Sequence, residues 1–282
     1  MKYASFKRNG VASWGIVDGS VIADVGALLQ TSYPTLRAAI AADALDRAGT
    51  LAKDAERMAV NSVTLLPVIA DPPKILCVGL NYETHRRETG RSETEHPTIF
   101  TRFADSLIAH GANIIRPRVS TSLDFEGELA VVIGKAGRYI SRQSAMQHVV
   151  GYTCHNDATL RDWQRHTTQF TPGKTFPGTG PLGPYLVTPD EIADLESSVL
   201  ETRLNGAVVQ SANIGQMIFS IPRLIEYISS FTPLGAGDII ATGTPGGVGF
   251  KREPPLYMKP GDRIEVDITG VGLLVNGVAD EA

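Results

Sequence analysis

Cysteine is scarce in this sequence: Cys77 and Cys154 are the only two among 282 residues, far apart and outside any C-x-x-C pairing. A disulfide framework and a cysteine metal site are thereby excluded, and both thiols are expected to be small core residues. Long hydrophobic runs are missing as well. The longest, such as Ala130 to Gly134, fall far short of the roughly 20 residues that span a bilayer. The opening MKYASFKRNG is polar where a secretory signal needs an apolar stretch, so a cytoplasmic location without a membrane partner is expected. There is no excess of basic charge: the formal net charge is -4, and lysines and arginines are interspersed with acids, which speaks against a nucleic-acid partner. Several catalytic signatures are absent too. The stretch GTPGGVGF fits neither the Walker spacing nor G-x-G-x-x-G, and neither H-E-x-x-H nor G-x-S-x-G occurs. A phosphate cradle, the common zinc protease site and a nucleophile-elbow hydrolase are set aside.

What is present is the balance of an ordinary globular protein, with 43% hydrophobic and 20% charged residues. The length lies near the size at which one core stops growing, so one large domain with a smaller appendage is expected. Residues 1–70 alternate in short stretches and then turn alanine-rich, which predicts a helical run over 35–58. The prolines at 67, 72 and 73 mark a connection there. The reading is therefore a small N-terminal domain at 1–70 and a β-rich domain at 71–282. In the latter, 74–79 reads as a buried strand and 81–91 as a polar helical turn or two. Helices are expected at 144–148 and at 222–230, where Pro222 suits a first turn. Residues 261–268 alternate as a half-buried strand does.

One segment breaks the pattern of a buried strand. In LDFEGELAVVIGK, residues 123–135, alternation places Asp124, Glu126 and Glu128 on one face, neighbours roughly 7 Å apart. Like charges so close do not gather on a core strand for stability; either the face meets water or a cation sits among them. Asp157 follows the apolar run 149–154 and can deliver a third carboxylate at a strand end. Three carboxylates without a companion histidine or cysteine suit a hard divalent cation that prefers oxygen. Separately, His85 and Glu88 are spaced i, i+3 and can touch on a helical turn. A carboxylate on one imidazole nitrogen fixes the tautomer and raises basicity at the other.

The motifs GLNYETH, DFEGELAVVIG, HNDATLRDWQ, PGKTFPGTGPLGP, TRLNG, GDIIATGTPGGVG and KPGD, in this order, closely resemble the fumarylacetoacetate hydrolase superfamily over about residues 72 to 278. The resemblance implies a β-rich α+β fold, a mixed β-roll or distorted β-sandwich, in a protein that is usually a homodimer. It implies Mg2+ or Mn2+ held by Glu126, Glu128 and Asp157, with Asp124 a strand-end residue and not a ligand. It places His85 and Glu88 in a segment that closes over substrate, and Lys174, Arg161, Gln164, Gly243 and Thr244 on the substrate. With the cation, Lys174 and Arg161 leave a slightly positive site that welcomes an anionic oxo acid. His155 is expected to pack behind the ligands, and His96, His110 and His148 to lie elsewhere. The implied activity is hydrolysis of the C–C bond of 2,4-dioxo acids of the acylpyruvate or fumarylpyruvate type. The alternatives are decarboxylation of oxaloacetate, tautomerisation of an oxo acid, and hydrolysis of a 2,4-diketo-3-deoxy sugar acid, all on the same enolate chemistry.

Overall fold

Strand Gly127–Ile133 is buried along its whole length, as a run of small and β-branched apolar residues requires when both faces of a sheet are covered. In this computed structural model, which describes residues 1–282, it lies inside a twelve-stranded mixed sheet. From one edge the order is Arg57–Ala59, Val21–Ala23, Val11–Asp18, Lys2–Arg8, Gly180–Val187, Val149–Asn156, Gly127–Ile133, Ile239–Ala241, Ile75–Gly79 and Thr98–Arg102, with Thr64–Leu65 also paired to Lys2–Arg8 and Leu107–Ile108 to Gly180–Val187. The central neighbours are antiparallel, except that Ile239–Ala241 runs parallel to Ile75–Gly79. A second, five-stranded sheet is ordered Ala207–Asn213, Val199–Leu204, Arg263–Ile268, Gly272–Asp280, Asn113–Arg116. The fold is thus β-rich α+β with mixed sheets.

The period of two divides the core. Leu129, Val131 and Ile133 pack against Leu200, Val266 and Leu274 of the second sheet and against Leu224, Ile225 and Ile228 of helix Ile221–Phe231. Ala130 and Val132 face the other way, toward Leu182, Leu186, Ile75, Ile239 and the N-terminal Tyr3, Trp14 and Leu36. Glu128 shares the Ala130 side and sits where that face runs out at the strand end.

Residues 1–70 gather a small cluster of their own around Phe6, Ile22 and Met58, and also share the core behind the central strands. Lys2–Arg8 pairs antiparallel with Gly180–Val187 through Lys2↔Val187 and Tyr3↔Leu186, so the expected small domain continues the catalytic sheet. The helical run expected over 35–58 is two helices, Leu36–Ala41 and Leu45–Leu51, followed by strand Arg57–Ala59. Asp43 breaks it with φ +53°, a left-handed conformation that a short polar side chain tolerates, and Met58 is drawn into pairing with Ile22. Residues 144–148 form one 3-10 turn, Ala145–His148, and the 222–230 helix extends over Ile221–Phe231 with Pro222 in its first turn. Strands Ile75–Gly79 and Arg263–Ile268 lie where the pattern puts them. No helix is long and apolar enough to cross a membrane.

A core shared by both halves predicts a single unfolding transition. The two tryptophans report on the two parts, Trp14 from the N-terminal strands and Trp163 from beside the site. Urea curves of Trp163→Phe followed by Trp14 fluorescence and of Trp14→Phe followed by Trp163 fluorescence should each coincide with far-ultraviolet circular dichroism of the same variant. Separated midpoints would show two independent folding units.

Candidate metal centre and acid–base pair

The acidic segment is not one continuous strand. Leu123–Asp124 forms a short ladder with Thr159–Leu160, the chain leaves that ladder at Phe125 and Glu126, and Gly127 begins the central strand. The break is held from both sides: the Glu126 N–H donates to Asn156 Oδ1 at 3.0 Å, and the Asp157 N–H donates to the Glu126 carbonyl at 2.8 Å. Its effect is to bring Glu126, Glu128 and Asp157 together, with one carboxylate oxygen of each within 4.8 Å of the others and all three buried. Asp124 turns away from them. Its carboxylate accepts the N–H groups of Gly249 and Phe250 at 2.8 and 3.0 Å and the Nε–H of Arg161 at 2.8 Å.

Burying carboxylates is unfavourable unless each finds a donor or a positive charge. Glu126 accepts from Arg161 Nη2 at 2.5 Å and from Lys174 Nζ; Asp157 accepts from Lys174 Nζ at 2.5 Å and from Arg102 Nη1 at 2.5 Å. Burial opposes ionisation of Glu126, but Arg161 and Lys174 outweigh it and hold its carboxyl below the ordinary value. Asp157 is likewise lowered, Lys174 and Arg102 overcoming its burial. Lys174 is raised, because Asp157 and Glu126 more than offset desolvation of its ammonium. Glu128 differs. It accepts the Gly243 N–H at 3.0 Å and no cationic side chain, and burial together with Asp157 and Glu126 pushes its carboxyl well above the usual range. Three convergent oxygen donors, one of them a carboxylate lacking a positive partner, fit a hard divalent cation such as Mg2+ or Mn2+.

Above this cluster lies helix Glu83–Glu88, rooted by Asn81. The Asn81 side chain donates to the Phe219 and Thr242 carbonyls at 3.0 and 2.8 Å and accepts the Phe219 N–H at 2.7 Å. His85 Nδ1 lies 2.7 Å from Glu88 Oε1, so the pair expected from the spacing forms, with the imidazole buried. The other Glu88 oxygen accepts the Gly247 N–H at 2.8 Å, and Thr84 Oγ1 accepts the Gly246 N–H at 3.0 Å. The helix therefore docks on the same glycine-rich loop that begins at Gly243. There φ is +104°, and a Cβ would stand 2.7 Å from that of Asn81, so only glycine turns this N–H onto Glu128.

Some residues expected on the substrate are spent inside the protein. Thr244 Oγ1 donates to the Gly127 carbonyl at 2.9 Å and accepts from Gln210 Nε2 at 2.7 Å, and the Gly243 N–H serves Glu128. Arg161 is buried on Asp124 and Glu126, and its Nη1 reaches Gln164 Oε1 at 3.0 Å. These groups shape the acidic cluster. His155 donates from Nδ1 to the Pro181 carbonyl at 2.7 Å, while its buried Nε2 has no partner and lies 4.0 Å from Asp157. Burial, with Arg102 nearby, lowers its pKa to about 4, so the ring is neutral. His96 stacks on Tyr227, His110 accepts from the Val275 N–H and His148 contacts the Lys135 carbonyl, all outside the cluster. Sequence reasoning missed Arg102. It is buried at the end of edge strand Thr98–Arg102, with further bonds to the Ala158 carbonyl and Thr179 Oγ1, and no spacing in TIFTRF announces it.

Replacing Glu128 by glutamine keeps the shape and removes the carboxylate with no cationic partner. The rise in melting temperature produced by Mn2+ in the wild type should be largely lost in Glu128→Gln. Without metal, a carboxyl raised on folding contributes stability that is full below its unfolded pKa and lost as pH rises toward its folded one. The metal-free variant should therefore lose less stability than the metal-free wild type on going from pH 5 to pH 8, which thermal melts across that range would check.

Residues 74–279 match the family described as Fumarylacetoacetate (FAA) hydrolase C-terminal. The chain is 45% identical over 220 residues to the mitochondrial oxaloacetate tautomerase FAHD2A of Bos taurus, covering 77% of this chain and 70% of that protein. It is 45% identical over 224 residues to the oxaloacetate tautomerase YisK of Bacillus subtilis, covering 78% and 74%. Among solved structures, the fumarylacetoacetate hydrolase of Exiguobacterium antarcticum superposes with a TM-score of 0.86 at 34% identity over the whole of both chains. Maleylpyruvate hydrolase from Sphingobium sp. SYK-6, in complex with manganese(II) and pyruvate, does so with a TM-score of 0.84 at 27% identity, again over both whole chains. This chain belongs to the fumarylacetoacetate hydrolase family.

Proposed function

We propose that this protein interconverts the keto and enol forms of a small 2-oxo dicarboxylic acid, oxaloacetate, using a divalent cation at Glu126, Glu128 and Asp157. The observation that carries the reading is the docking of a carboxylate-held imidazole, His85 on Glu88, over a buried cluster of three carboxylates. The relatives named oxaloacetate tautomerases, at 45% identity, favour this reaction over the C–C hydrolysis expected first from the sequence. Held by these three carboxylates, the cation would supply Lewis acidity to the oxo-acid head of the substrate, worth several kcal/mol.

The chain's own groups move the proton. His85 donates from Nδ1 to Glu88, which leaves the Nε2 lone pair to take a proton from C3 of the substrate. As that C–H bond breaks, its electron pair forms the C2–C3 double bond and charge passes to the 2-oxo oxygen. The ammonium of Lys174, fixed between Glu126 and Asp157, adds positive charge to the site at that moment. Return of the proton from the imidazolium to the oxygen gives the enol, so atoms and charge balance without water. The low exposure of His85 and the docking of its helix on Gly246 and Gly247 keep solvent from competing.

Hydrolysis is the second reading, supported by the maleylpyruvate hydrolase neighbour. It uses the same imidazole but needs a water delivered to the 4-carbonyl of a dioxo acid. Ultraviolet absorbance separates the two, since tautomerisation changes the enol band without releasing pyruvate. In Mn2+-loaded protein, His85→Asn and Glu88→Gln should each slow interconversion by about 100-fold or more, the range of a lost general base. Mn2+ affinity should persist, and the double variant should lose little more than either single one, because the two groups act as a unit. Wild-type protein that leaves the keto–enol rate unchanged yet releases pyruvate from acylpyruvates would replace tautomerisation by hydrolysis.

A further inference from the structure

Three cationic side chains gather on one phenyl ring that adjoins this site through Arg161. Phe250 follows the glycine-rich loop and is tied by its N–H to Asp124. Its ring centroid lies 4.3 Å from Arg161 Cζ, 4.4 Å from Arg165 Cζ and 5.4 Å from Lys251 Nζ. The three differ in their partners. Arg161 is buried and neutralised by Asp124 and Glu126. Arg252, next along the chain, gives its donors to the carbonyls of Gly247 and Val209. Arg165 and Lys251 are exposed, and no salt bridge in the structure includes either of them. Packing a guanidinium and an ammonium against one aromatic ring attracts both charges to its quadrupole.

The charge inside the site sharpens the point. Asp124 and Arg102, added to the three ligands, the divalent cation, Lys174 and Arg161, cancel each other, and with Glu88 on His85 the site sums to about zero, so no positive charge is left over inside it. A second anionic group on a substrate finds no further free cation there, since Arg102, Arg161 and Lys174 are all bonded to carboxylates. The unspent positive charge is outside it, on the exposed Arg165 and Lys251. Phe250 connects the two regions: its ring touches Arg161, which touches Glu126, and its backbone continues the loop whose Gly243 and Gly247 amides hold Glu128 and Glu88.

We infer that Arg165 and Lys251, assembled on Phe250, form an outer anion subsite that selects substrates with a second carboxylate. The inference rests on the oxo-acid reading and adds to it the residues that hold the second carboxylate of its substrate. Arg165 and Lys251 are specificity residues under this assignment and take no part in proton transfer.

Calorimetric titration of the Mn2+-loaded protein with L-malate and L-lactate tests it. Both probes carry the same 2-hydroxy acid head, and only malate has the second carboxylate. Wild type should bind malate at least about tenfold more tightly than lactate, a preference that shrinks with added salt because exposed charges are screened. Arg165→Met should weaken malate by about three- to tenfold and leave lactate within about twofold, and adding Lys251→Met should erase the preference. Arg165→Lys should restore most of it, since charge and not loop packing is required. Equal weakening of both probes, or no preference in wild type, would overturn the subsite. Failure to interconvert the forms of oxaloacetate while the malate preference is intact overturns the tautomerase reading and supports the subsite. The reverse pair of results does the opposite.

Discussion

Four carboxylates and three cationic side chains lie buried where the central strands end: Asp124, Glu126, Glu128 and Asp157 against Arg102, Arg161 and Lys174. Each ion removed from water costs several kcal/mol, and mutual attraction repays that only when every charge finds close partners. The arrangement meets the condition for Glu126 and Asp157, each bonded to two cations, and for Asp124, which holds Arg161 and three backbone amides. Glu128 is the exception, with one amide as its donor. That imbalance is what makes a divalent cation a fitting occupant of the cluster, and removing any of the three basic groups would expose a buried carboxylate to the same penalty.

The sheet makes this charge density tolerable. Gly127–Ile133 is walled on one face by the second sheet and on the other by strands that include the first residues of the chain. Its end is therefore far from water although it carries acids. The N-terminal strands contribute no residue to the cluster, but they complete the hydrophobic face on which Ala130 and Val132 rest, next to Glu128. Apolar packing on that side lowers the local dielectric, strengthening every ion pair nearby and sharpening the cost of any unpaired one.

The His85/Glu88 pair and the carboxylate cluster are mechanically joined through one loop. Gly243 holds Glu128, Gly246 and Gly247 hold Thr84 and Glu88, and Gly249 and Phe250 hold Asp124. Glu88 thus has two duties, orienting His85 with one oxygen and latching its helix with the other. Backbone amides in a glycine-rich turn are fixed dipoles that need no side-chain ordering, which suits a loop serving three carboxylates at once.

By itself the sequence determined what is local. The period of two put Glu128 on the face of Ala130 and Val132, the i, i+3 spacing put His85 against Glu88, and the order of motifs identified the family. Other features were settled only by the tertiary structure. Arg102 meets Asp157 across 55 positions of chain, Asp124 turns from the cation site to anchor a loop 125 positions away, and Gly243 and Thr244 serve the protein's own groups. The first 70 residues join the catalytic sheet in place of standing apart, and the alanine-rich run breaks at Asp43 and ends in a strand. The physical reason is the same in each case. Periodicity and spacing encode which face a side chain occupies, whereas the partner of a buried charge and the neighbour of an edge strand are chosen by close approach between distant segments, for which local sequence carries no code.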